Sequence, residues 1–194
     1  LLVDTFADMG IQGHTFLDYV ARGAATIAHH FVGQKNRVGM IEFGYYLSYL
    51  PPRPGVRQWY DIADRLSRLA VHHRHVSYEV VTLPRRILPP RALVLAFTTF
   101  LDGRFLEALT DLRGRGFDIV AIYISPVQLQ EKIVSEETKK RRIHRIALRI
   151  WRLENAARMK EIHANGIRIV HWDLDQPFTL VMRSLDVMRR ERLA

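Results

Sequence analysis

The chain has no cysteine. Disulfide staples and thiolate metal centres are therefore excluded, and the composition suits a reducing compartment. It has no apolar run near the roughly 18 residues that a membrane-spanning helix requires, and no secretory signal pattern. Several catalytic signatures are missing too. There is no G-x-S-x-G nucleophile elbow, no phosphate-binding P-loop, and no G-x-G-x-x-G following a strand. Gly114 and Gly116 stand in an R-G-R-G that precedes a strand, the wrong order for a dinucleotide site. Acids are scarce as well. Twenty Asp and Glu against 29 Lys and Arg leave a net charge of +9. That surplus favours a polyanion or an acidic protein face without choosing among nucleic acid, anionic lipid and protein.

What is present is a patterned globular sequence. Hydrophobic residues make up 48% of the 194, enough for a real core. The length suits one domain, at about 100–200 residues each. We read residues 1–194 as a single domain and expect it to be a C-terminal piece of a longer protein, because the chain opens inside a strand. That opening, Leu1 to Gly10, is an apolar run ending in Asp4 and Asp8. In open α/β sheets ligands bind beyond such strand ends.

Thr15 to Val32 carries apolar residues at helical spacing, and Thr15 with Asp18 resembles a capping box. Arg37 to Phe43 reads as a buried strand and Tyr45 to Leu50 as an antiparallel return. Three prolines between Pro51 and Pro54 predict that pairing stops there. Gln58 to Leu69 is helical in spacing, and periodicity fails from Val71 to Pro90. Ala92 to Phe97 is a continuous apolar run, the mark of a strand covered on both faces. A short helix from Phe105 to Leu112 and a strand from Asp118 to Ile124 follow. The stretch from about Glu136 to Asn165 reads as one long helix or two joined ones, with Ile143, Ile146, Ala147, Ile150, Trp151, Leu153, Ala157 and Ile162 on its buried face. A last strand, Ile167 to Trp172, and a last helix, Phe178 to Met188, close the pattern. Alternating strands and helices predict a doubly wound, Rossmann-like α/β fold: a mostly parallel sheet, helices on both faces, one antiparallel edge strand.

Two charged clusters stand out. His72-His73-Arg74-His75 is dense in imidazole, a common zinc or copper ligand, although adjacent loop histidines point apart and stay solvated. Arg141, Arg145, Arg149 and Arg152 fall on one helical stripe, and Glu154 is the only acid between Lys139 and Lys160. Such a stripe suits a polyanion or an acidic partner. Tyr45, Tyr46, Tyr49 and Trp59 surround the proline-rich turn, where core packing is the default reading.

Four landmarks in order, VDTFADMG, RVGMIEFG, YLPPRPGVRQ, and LPPRALVLAFTTFLD with RGFDIVAIYISP behind it, carry a resemblance. From Leu2 to about Pro126 the sequence resembles bacterial and archaeal proteins of domain-of-unknown-function family 58, whose C-terminal half looks like a von Willebrand factor A domain. The resemblance implies a metal-ion-dependent adhesion site binding Mg²⁺ or Mn²⁺ at the C-terminal edge of the sheet. Hard cations of this kind take oxygen ligands and leave a position for a partner's carboxylate. In such a site a D-x-S-x-S motif, a later Thr and a further Asp hold the ion. Here Asp4 matches the first Asp, Phe6 replaces the first Ser and Asp8 the second. Ser77 is the candidate for the Thr, and Thr99 stands where the family has Asp, with Asp102 three residues on.

The expectation is a non-enzymatic, protein-binding domain with a degenerate metal site. Its implied partner is a MoxR-type AAA+ ATPase, and its implied place is the cytoplasm, where the region preceding residue 1 can tether the whole protein to the membrane surface. Nucleic acid is not expected as the partner. The competing readings are a metal-dependent nuclease built on Asp4, Asp8 and Asp102, and a simple polyanion-binding α/β domain.

Overall fold

The computed structural model describes residues 1–11, 13–71, 83–84, 86–135 and 142–193. Six strands form one sheet in the order β3-β2-β1-β4-β5-β6. They are β1 (Leu2–Asp4), β2 (Val38–Phe43), β3 (Leu47–Arg53), β4 (Leu93–Thr98), β5 (Asp118–Tyr123) and β6 (Arg168–His171). All neighbours are parallel except β2 and β3, so β3 is an antiparallel edge strand. The helices are α1 (Phe16–Gly33), α2 (Val56–Leu66), α3 (Gly103–Gly114), α4 (Pro126–Ile133), α5 (Arg142–Ala164) and α6 (Thr179–Leu193).

The alternation of side chains along each strand sorts the core into two layers. Val3, Leu95, Phe97, Val120 and Ile122 face one way and pack with α1, α2 and α6. Leu2, Val94, Ala96, Ile119 and Ala121 face the other way and pack with α3 and the C-terminal half of α5. The expected doubly wound α/β architecture with one antiparallel edge is what the chain adopts. The capping box at α1 is also present: the Asp18 N–H donates to Thr15 Oγ1 at 3.1 Å and the Thr15 N–H to Asp18 Oδ2 at 2.9 Å.

Three local expectations need correction. Pairing does not stop at the prolines, because β3 runs through Pro51 and Pro52 to Arg53. Proline is tolerated at an edge or a bulge, and here the register slips between Val38 opposite Arg53 and Met40 opposite Leu50. The buried Gln58 amide supplies donors at that point. Its Nε2 donates to Val38 O at 2.7 Å and to Pro51 O at 2.9 Å. We expect Gln58→Leu to destabilise the fold by about 2 kcal/mol, since both carbonyls lose a donor. A urea midpoint equal to that of the parent chain would refute this.

Second, β5 ends before Ser125-Pro126, but a further helix that the spacing does not predict begins there. Ser125 caps α4, with Pro126 as its first residue. Third, the face assigned as buried on the long helix is largely exposed. Ile143 is 83% exposed, Ile146 49%, Ile150 53% and Leu153 65%, whereas Ile162 is fully buried. Of the residues expected on that face, Trp151 and Ile162 do turn toward the body, and Leu148, Asn155 and Met159 join them there.

Candidate functional site

The direction of chain progression reverses between β1 and β4, and in open α/β sheets the crevice beyond such a switch point is where ligands bind. Asp4 is the last residue of β1 and Thr98 the last of β4. Thr98 Oγ1 donates to Asp4 Oδ2 at 2.7 Å, and the Phe6 N–H donates to Asp4 Oδ1 at 3.1 Å. Thr98 is steadied in turn by the Phe100 N–H, which donates to its hydroxyl at 2.8 Å. The Asp4 side chain is thus tied on both oxygens and only 2% of the residue is exposed. Burial pushes its pKa up to about 7. The hydrogen bonds from Thr98 and Phe6 pull the other way, the Asp102 charge adds to the rise and the Arg104 charge opposes it.

Above Asp4 the rim is built around Arg104. Its guanidinium carbon lies 4.2 Å from the Phe6 ring centroid and 4.7 Å from that of Tyr45. A cation so placed is attracted by the negative ring faces. Phe6 is held edge-on to Phe43 at 5.3 Å and to Tyr45 at 5.6 Å. Asp102 clamps the other side. It caps α3 by accepting from the Arg104 N–H at 2.9 Å, and it also accepts from Nε at 2.9 Å and Nη2 at 2.6 Å. The hydrogen bonds from Arg104 hold the Asp102 carboxyl below the usual carboxylate range. The Arg104 side chain remains 35% exposed, so the charge is both fixed and reachable.

The site residues expected from sequence are distributed as follows. Asp4 and Asp102 stand within electrostatic reach of each other and of Arg104. Asp8 is exposed, and its Oδ1 accepts from the Leu17 N–H at 3.0 Å, in the first turn of α1. There it satisfies one of the donors that every helix leaves open at its N-terminus. Thr99 is buried, but the hydroxyl on Asp4 belongs to Thr98, one residue earlier. Ser77, Arg141 and the histidines from His72 to His75 lie outside the described residues. Arg145, Arg149 and Arg152 are exposed on α5, and Arg152 pairs with Glu131 of α4. Arg104 was not expected from sequence. The only local hint is Asp102 placed to cap a helix, because the aromatic half of the clamp comes from the segment just after β1 and from the β2–β3 turn.

The described members of this set, Asp4, Asp8, Thr99 and Asp102, do not by themselves fit the hard divalent ion that an adhesion-type site would take. Such an ion needs several free oxygens around one point. Phe6 offers none, both oxygens of Asp102 are bonded to Arg104, and Asp8 is bonded to α1. A fixed guanidinium already supplies positive charge there. Among the described residues no group of three or more His, Asp or Glu side chains is placed to hold a metal ion.

A cavity of about 530 Å³ opens at the opposite end of the sheet, where Leu1, Val38 and Leu93 enter their strands. Its described lining is largely apolar and includes no carboxylate or histidine. Compared with known families and proteins, the chain matches no family model and no curated protein. Among the described residues no helix is long and apolar enough to cross a membrane.

Proposed function

We propose that the chain is a protein-binding module whose contact surface is the rim at the C-terminal end of β1 and β4, with Arg104 standing where a divalent cation would be expected. The single observation that carries this reading is the Arg104 clamp. A guanidinium held by Asp102, Phe6 and Tyr45 offers a partner's carboxylate a positive group whose position is already set. A preorganised fork loses less freedom on binding than a loose side chain and can take a carboxylate on its remaining donors. Catalysis has no comparable support, since the one hydroxyl on the Asp4 carboxyl, that of Thr98, is fully buried, and both oxygens of Asp102 are bonded to Arg104. The partner class implied by the resemblance, a MoxR-type AAA+ ATPase, is the one to test.

Binding to such an ATPase, measured by interferometry, is expected to persist in EDTA. Arg104→Gln is expected to weaken it about 10- to 100-fold, the loss of one charge-assisted contact. Titration calorimetry with Mg²⁺ and Mn²⁺ on the chain alone is expected to show no heat. An association that requires either ion, or one indifferent to Arg104, would refute the proposal.

A further inference from the structure

The second feature that asks for an occupant is the N-terminal half of α5. The C-terminal half is anchored: Tyr123 donates to Asn155 Oδ1 at 2.7 Å, Arg158 donates to Phe100 O, and Met159 and Ile162 are buried. Asn155 is therefore level with the end of β5. The residues before it run on for up to about 20 Å at the rise of an α-helix. On the N-terminal half, Leu148 and Trp151 turn toward the body and Arg152 pairs with Glu131 of α4, while on the other side Ile143, Ile146, Ile150 and Leu153 follow one another at spacings of three and four and form an exposed apolar ridge. At 100° per residue, Arg142, Arg145 and Arg149 line the flank next to it, and all three are exposed. Three neighbouring isoleucines and a leucine on one helix face are not the scattered surface apolar residues of an ordinary fold.

The occupant is set by the charge beside the ridge. A second copy packed antiparallel along the same ridge would bring Arg row against Arg row. A protein partner would have to supply a groove shaped to a convex row of branched side chains. An acyl layer adapts to any shape, and an anionic headgroup layer complements the cations. We propose that this half of α5 lies in the interface of an anionic membrane surface. Ile143, Ile146, Ile150 and Leu153 then enter the acyl boundary, and Arg142, Arg145 and Arg149 meet lipid phosphates. The arrangement is that of an interfacial amphipathic helix, with an apolar face and a cationic flank.

The test is flotation of the whole chain with phosphatidylcholine vesicles, with and without phosphatidylserine. The parent chain is expected to float only when phosphatidylserine is present. Ile146→Ser with Ile150→Ser removes two inserted side chains, and partitioning is expected to fall about a hundredfold. Arg145→Glu with Arg149→Glu is expected to lower it at least tenfold. All four sites are exposed, so both variants should keep the parent's thermal midpoint, and circular dichroism checks that they do. Failure of the parent to float overturns the proposal. So does flotation that ignores the isoleucines, which would mean surface electrostatics alone. Binding of a polyglutamate peptide in place of vesicles, lost in the same variants, would assign the face to an acidic protein instead.

Discussion

Asp4→Asn is expected to stabilise the chain at pH 8 by a few kcal/mol and to leave it nearly unchanged at pH 4. The reason is the burial of the Asp4 carboxyl, which holds its pKa near 7 in the folded chain, against 3.8 for the ordinary group. The native state therefore binds that proton more tightly than the unfolded chain does, by on the order of 4 kcal/mol. Below about pH 4 the carboxyl is protonated in both states and this contribution is present in full. As pH rises toward 7 the unfolded chain releases the proton first, so stability falls. Above 7 both states are ionised, and the folded chain carries a buried charge whose cost no longer changes with pH. Asparagine keeps the shape and can still accept from the Phe6 N–H, but it has no proton to lose. Urea titrations of parent and variant across this range should diverge between pH 4 and 7 and then run parallel. Curves that stay parallel throughout would mean that Asp4 is ionised in the folded chain at ordinary carboxylate pH. The same experiment bears on function, because a neutral Asp4 at the crevice floor contributes little to the field that Arg104 presents.

Gly39→Ala should cost about 3 kcal/mol, at the upper end of what overpacking does. A Cβ at this position would lie 2.8 Å from Leu50 O and 2.9 Å from Pro52 N, both backbone atoms of β3. Neither can move aside without opening the edge pairing that Gln58 completes. For a chain of this size the thermal midpoint should drop by about 10 °C. Amide exchange should show the loss concentrated in β2 and β3. Gly33→Ala is the control, since nothing lies within 4 Å of its added Cβ and it should be nearly neutral. An equal loss in both variants would mean that general helix or strand propensity, rather than the close approach at the bulge, sets the cost.

The two results together mark which parts of this chain were written locally. The strand read from Ala92 to Phe97 was visible because a strand covered on both faces is apolar at every position, and the run is too short for a helix buried all round. Helix α1 was visible because its capping box and its stripe lie within one turn of each other in sequence. The continuation of β3 through two prolines was not, because the donors that rescue it sit on Gln58, in the next helix. Helix α4 has its Ser-Pro start in plain view, yet its eight residues are too short for periodicity to speak. The Arg104 clamp was hidden more deeply. Its aromatic partners and its acid come from three separate segments, and no spacing rule links Phe6 to Arg104.

Hydrophobic spacing by itself determined that the chain alternates strands and helices, and handedness then leaves a doubly wound sheet with Asp4 at a strand end. Periodicity reports that a helix has an apolar stripe, but it carries no information on whether anything covers that stripe. Only the tertiary structure decided that Ile143, Ile146, Ile150 and Leu153 of α5 stand uncovered, because α5 meets the body through a different face, that of Leu148, Trp151, Met159 and Ile162. It likewise decided that the acid at the strand end is buried beneath a guanidinium, since burial and charge proximity are properties of distance in space and not of order along the chain.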